Sequence, residues 1–270
     1  MKFFCILFLL CSNVLLFGQP ISGVVFETNS KIPVAYVNIG IVGKDIGTVS
    51  DQNGKYTLQI IPEYYNDTLK FSCIGYHTYS VKVSDFVKKN DANVKLEKKV
   101  YNLTSVVIRP KTLKQKVLGI TTKSKAIVGC FMDSIHGYEI GVLMKNKNRA
   151  FLKEVNLNIA YCTYDTIFYR INIYKAHGNM QFENILTNPI YVKSSKKELK
   201  NKVIIDLRPY NISIEGNFLV TFEAVKNLGA GSLCYAANLS HKTYVRRASQ
   251  GTWFTQSVGT SISTLVDIEK

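Results

Sequence analysis

Apolar and polar positions alternate along most of this chain with a period of two, and no long stretch carries the 3.6-residue period of an amphipathic helix. Gly23-Val24-Val25 opens a first strand, and Pro33, Ala35, Val37 and Ile39 read as a second with a proline at its entry. Val49, then Tyr56, Leu58 and Ile60, predict two neighbouring strands. Between them Asp51, Asn53 and Gly54 supply the residues that a tight reversal needs. Short strands follow at 68–72 and 93–96. Beyond residue 125 the alternation resumes at 151–160, with Val155, Leu157 and Ile159 on one face, and again at 167–174 and 203–207. Residues 216–224 give the strongest central strand. Runs at 233–239, 243–246, 252–255 and 263–268 follow, and the last is expected to close a sheet. So many short strands predict an all-β chain whose second half is a β-sandwich of jelly-roll type.

Fixed motifs punctuate the first half. Gly47-Thr48-Val49-Ser50-Asp51-Gln52-Asn53-Gly54-Lys55-Tyr56 follows the pattern GTxTDxxGxF/Y, and Ser72-Cys73-Ile74-Gly75-Tyr76 forms an S-x-x-G-Y corner. Through these motifs residues 21–85 resemble the carboxypeptidase-regulatory-like domain of Bacteroidota type, a small transthyretin-like (prealbumin-like) β-sandwich. The resemblance implies an accessory module rather than a catalytic one. The expected organisation is a signal peptide at 1–18, this domain at 19–97, a strand and basic linker at 98–125, and a second β-sandwich at 126–270 that resembles no named family.

The leader carries this reading to a compartment. Lys2 is a short basic start, residues 3–16 are apolar apart from Ser12 and Asn13, and Gly18 offers a cleavage point. The run is too short for a membrane span. Leu10 precedes Cys11 where a lipid-attachment signal needs a small residue, so no lipid anchor is expected. An exported protein follows, placed in the periplasm, at the outer membrane or on the cell surface. Its net charge of +15 falls to +14 without the leader, whose one charged residue is Lys2. Export argues against nucleic acid as the basic chain's partner. An anionic surface polymer or lipid headgroup fits better, and plain solubility from a lysine-rich surface is the simpler reading.

Four cysteines remain after the leader, Cys73, Cys130, Cys162 and Cys234, with no CxxC spacing that would suggest zinc. Their pairing stays open, and Cys73 and Cys162 read as buried thiols in apolar strands. The run Leu103-Thr104-Ser105-Val106-Val107-Ile108 is similar to the strand that follows the same domain in TonB-dependent outer-membrane transporters. Too few residues remain for such a plug and barrel, which leaves Val106, Val107 and Ile108 as a candidate partner strand. Lys111, Lys114, Lys116, Lys123 and Lys125 mark a solvated linker, with a sheet edge as the alternative.

Candidates for chemistry are few. His136-Gly137-Tyr138-Glu139 matches an HxxE zinc pair, and His241 could be a third ligand. The short β-rich context argues against a zinc carboxypeptidase, so no metal, cofactor or catalytic residue is expected. No G-x-S-x-G elbow is present, and Asp165, Asp206, Glu215, Glu223 and Asp267 read as isolated acids. Trp253, with Tyr244 and Arg246 close in sequence, could stack on and bind an acidic glycan, unless it caps the core. The reading is an exported, non-catalytic accessory or binding protein of the cell envelope with a protein or glycan partner. The alternatives are a zinc-dependent carboxypeptidase-like hydrolase and a structural component of an outer-membrane complex related to TonB-dependent transport.

Overall fold

The computed structural model describes residues 18–101, 112–131 and 136–270. Residues 1–17 of the signal peptide expected at 1–18, and the candidate partner strand Val106, Val107 and Ile108, lie outside the described residues. No described helix is long and apolar enough to cross a membrane.

The first unit holds β1 (Gln19–Glu27), β2 (Asn38–Ile41), β3 (Gly47–Val49), β4 (Lys55–Ile60), β5 (Thr68–Ser72), β6 (Tyr79–Lys82) and β7 (Val94–Leu96), with a short α-helix, α1 (Val83–Val87), and a single 3-10 turn at Pro62–Tyr64. Two sheets, ordered β4-β1-β7 and β3-β2-β5-β6, enclose Val25, Val37, Ile39, Ile41, Leu58, Leu69 and Phe71. The second strand starts later than its alternation suggested. Tyr36 takes a positive φ of 53° and breaks the extended run, leaving Pro33 only a single bridge to Phe26.

The Asp51 turn forms as its residues dictate. Asp51 Oδ1 accepts from the amides of Asn53 and Lys55, both at 2.8 Å, and Gly54 takes φ +71°. Its role differs from the expected pairing of neighbours: β3 and β4 lie in opposite sheets, and the turn carries the chain from one to the other. Val49 pairs with Asn38, so it shares Asn38's face rather than the apolar core lined by Tyr56, Leu58 and Ile60.

The second unit is a two-sheet sandwich. Its strands are β8 (Leu113–Gly119), β9 (Val128–Cys130), β10 (Glu139–Met144), β11 (Arg149–Cys162), β12 (Thr166–Ala176), β13 (Phe182–Asn184), β14 (Ile190–Ser195) and β15 (Lys202–Asp206). They continue with β16 (Ser213–Glu215), β17 (Phe218–Ala224), β18 (Leu233–Asn238), β19 (Thr243–Arg246), β20 (Trp253–Gln256), β21 (Gly259–Thr260) and β22 (Ile262–Glu269). One sheet runs β13-β12-β17-β10-β19-β20, with β14 also on β12. The other runs β21-β18-β11-β22-β8, with β15 and β16 on β11 and β9 on β18. The chain crosses repeatedly between the sheets, as in a jelly roll. Strand β17 is buried at every position and central, as its sequence predicts.

Two expectations change here. Strand β22 does not close a sheet: it lies between β11 and β8. The edge is β8, formed by residues that read as basic linker, and it pairs from Leu113 opposite Glu269 to Gly119 opposite Ser263. The sandwich therefore begins near residue 113 rather than 126. A disulfide joins Cys130 to Cys234, directly opposite in register on β9 and β18. Cys73 and Cys162 are half-buried rather than fully buried, and their thiols donate to the carbonyls of Ala35 (3.9 Å) and Tyr164 (3.7 Å).

The two units meet through a notch without side chains. Gly40 and Gly47 are paired in register on β2 and β3, and a Cβ at either would collide with the carbonyl oxygen of Ser249. The β19–β20 loop lies in this notch. Gly43 N donates to Gln250 O (3.0 Å), Thr252 Oγ1 to Gly43 O (2.9 Å), and Gln250 Nε2 to Ser72 Oγ (2.7 Å).

Candidate functional site

The sheet that faces the first unit has two unlike sides. Ile171, Ile173, Val220, Phe222, Ile140 and Val245 point into the sandwich core. The alternate positions carry charge, and register aligns them in one row across four strands. Arg170 stands opposite Glu223, Glu223 opposite Glu139, and Glu139 opposite Arg246, which in turn faces Trp253 on β20. Such a row would ordinarily meet water. Here the first unit covers it, and Glu139, Glu223 and Arg170 are essentially inaccessible.

Burial is tolerated because the polar atoms are paired. Arg170 donates to Glu223 Oε2 through Nε (3.0 Å) and Nη2 (2.8 Å), to Tyr36 O (2.7 Å), and to Asn38 Oδ1. Asn38 Nδ2 donates to Glu223 Oε1 at 2.6 Å, so the first unit completes the row. Glu139 Oε1 accepts from Asn172 (2.8 Å), Tyr174 (2.9 Å) and Thr221, and its Oε2 accepts from Arg246.

The two carboxyls titrate in opposite directions. Burial raises the pKa of Glu139, with Arg246 acting against it and Glu223 reinforcing it. Burial works the same way on Glu223, but Arg170 and Arg246 together outweigh it and hold that pKa below the ordinary value. All four oxygens accept hydrogen bonds, and both carboxyls are closed off from solvent.

Above this row, at the seam between the units, lies a cavity of about 230 Å³. Asn38, Lys70, Ser72, Cys73 and Lys99 line it from one side; Arg170, Asn172, Phe182, Asn184 and Arg246 line it from the other. Its wall carries four cations and no carboxylate. Burial, and then the neighbouring Arg246, lower the pKa of Lys70. Arg246 Nε is buried without an acceptor among the described residues.

The sequence candidates separate. Trp253, Tyr244 and Arg246 do come together, because β19 and β20 are paired. The Arg246 guanidinium lies 4.8 Å from the Trp253 ring centre. Phe182 meets Trp253 and Tyr244 edge-on at 5.4 and 5.6 Å, and Tyr174 meets Trp253 at 5.9 Å. Trp253 is half-buried, and Phe254 on the opposite side packs against the sandwich core.

The zinc trio is divided. Glu139 is consumed by the buried row. His136 lines a second cavity, of about 480 Å³, beside Asp51 and Lys226, where burial lowers its pKa. His241 sits 3.1 Å from Asn238 Oδ1. Among the described residues no three His, Cys, Asp or Glu side chains group to hold a metal.

Sequence reasoning missed Arg170, Glu223, Asn172 and Asn38. Glu223 read as an isolated acid, yet register places it between Arg170 and Glu139. The available signal was the polar alternation of Arg170 and Asn172 between Tyr169, Ile171 and Ile173, which gives a polar face without saying what covers it.

No curated protein sequence is significantly similar to the chain. Among solved structures, the VP2 subviral particle of infectious bursal disease virus matches with a TM-score of 0.18 and 10% identity, over 87% of this chain. The chain spans 60% of that chain's length, and a likeness this weak carries no argument. Residues 21–108 match the CarboxypepD_reg-like domain. The N-terminal unit, with its two sheets and its Asp51–Gly54 corner, is a carboxypeptidase-regulatory-like domain.

Proposed function

We propose that this is an exported, non-catalytic binding protein of the bacterial cell envelope, which holds a glycan or protein partner at the aromatic and arginine edge of the second domain. The observation that carries the reading is the convergence of Trp253, Tyr244 and Arg246 with Phe182 and Tyr174, beside a cationic cavity. Half-buried aromatics next to arginine suit the apolar face and acidic groups of a sugar chain. The buried carboxyls Glu139 and Glu223 are sealed from solvent and hydrogen-bonded within the row.

Three features support export to the periplasm, outer membrane or cell surface. The leader has a basic start and an apolar run. Strand β1 begins at Gln19, immediately after the expected cleavage point. The Cys130–Cys234 disulfide suits an oxidising compartment.

The test is titration of the mature chain, residues 19–270, with acidic oligosaccharides by calorimetry, in parallel with Trp253→Ala and Tyr244→Ala. Saturable binding that both variants weaken supports the reading. Affinity unchanged in both removes this edge as the binding surface.

A further inference from the structure

We propose that the cavity between the two domains binds one acidic sugar unit, a hexose-sized body carrying a carboxylate or a sulfate, gripped by Lys70 and Lys99 from the first domain and by Arg246 from the second. The proposal rests on the binding-protein reading and assigns it a ligand class and a second contact surface.

Charge imbalance is the first argument. Arg170 and Arg246 already face Glu223 and Glu139 beneath the floor. Lys70 and Lys99 have no carboxylate partner among the described residues, whereas the adjacent Lys98 is paired with Glu27 at 2.7 Å. The backbone of Lys99 is held at the cavity rim, where its amide donates to Gly75 O at 2.8 Å. Arg246 adds a further cation to the same wall. An oxyanion satisfies these groups together, and charge-assisted hydrogen bonds are the stronger kind.

Size and lining supply the second argument. Ordinary ligand sites occupy roughly 300–1,000 Å³. The 230 Å³ here suits one sugar ring rather than a chain. Ser72, Thr78 and Tyr76 offer hydroxyls to a polyol, and Phe182, braced by Trp253 and Tyr244, offers an apolar face. The two domains each supply part of the grip, so binding is a property of their docked arrangement.

The experiment is calorimetric titration of the mature chain at low salt with glucuronate, glucose 6-sulfate, glucose and inorganic sulfate, alongside Lys70→Met and Lys99→Ala. Thermal unfolding of each variant checks that it folds. At least one acidic sugar is expected to bind about tenfold tighter than glucose or free sulfate, and each folded variant to lose about tenfold. The acid that binds identifies the oxyanion. Glucose or sulfate binding as tightly as the acidic sugars, no binding by any probe, or variants that bind as the parent does would each overturn the proposal. Trp253 and Tyr244 do not line this cavity. Oligosaccharide binding lost in their variants but kept in Lys70→Met would therefore remove the cavity site and leave the binding function standing.

Discussion

Glu139 and Glu223 stand directly opposite each other on neighbouring strands, and the side-chain amide of Asn172 donates to both carboxyls, at 2.8 and 2.7 Å. Like charges directly opposite in a sheet normally destabilise it. An arginine at each end of the row, Arg170 and Arg246, makes the arrangement tenable.

Arg170→Met strips Glu223 of its main partner and leaves a buried carboxyl uncompensated. The expected loss of stability is about 3–5 kcal/mol, read by denaturant unfolding. Arg170→Met with Glu223→Gln should cost less than the sum of the two single changes, because they share one interaction. Strictly additive losses would show that the pair is not coupled.

The pH dependence has two signs. The folded pKa of Glu223 is depressed, so its contribution is present above the ordinary value of 4.5 and is lost as pH falls through the folded pKa. The folded pKa of Glu139 is raised, so its contribution is present below 4.5 and is lost as pH rises through the folded pKa. Above 4.5, the melting temperature of Glu139→Gln relative to the parent should therefore rise with pH, until Glu139 has ionised in the folded parent. A difference that stays flat across that window would count against the raised pKa.

Gly40→Ala places a methyl group against the backbone of Ser249, which cannot swing aside as a long side chain could. The expected cost is about 1–3 kcal/mol. The seam should also loosen, read as faster protease cutting between the domains and a larger radius of gyration in solution scattering. An unchanged scattering profile with unchanged stability would mean that the notch does not set the docking.

Reduction of Cys130–Cys234, or replacement of both residues by alanine, frees a long loop, since the cysteines lie 104 residues apart. A loss of about 2–4 kcal/mol is expected from denaturant titrations with and without reductant. Equal midpoints would show that the bond contributes nothing to stability.

The parts legible in the sequence are those set by short-range chemistry. Asp51, Asn53 and Gly54 specify their turn locally, and the hairpin of β19 and β20 brings Trp253 to Arg246 within eight positions. The sheet in which β4 pairs depends on contacts with β1, more than thirty residues back, and no local pattern states it. The exposed lysines of β8 misled for a physical reason: edge strands carry lysine to discourage pairing with foreign strands, and a lysine-rich edge reads like a linker. Arg170, Glu139 and Glu223 looked like the solvent face of an alternating strand because the lid over them is another domain.

Strand β8 also decides where this protein can be cut. A fragment beginning at residue 126 would keep β22 but strip its outer neighbour, uncovering a row of unpaired amides and carbonyls from Ser263 to Glu269. Such a fragment would recruit a strand from another copy of itself, and self-association would replace an internal pairing. The portable piece of this chain therefore includes residues 113–119, and a graft or truncation that respects only the boundary between the domains would carry a sticky edge with it.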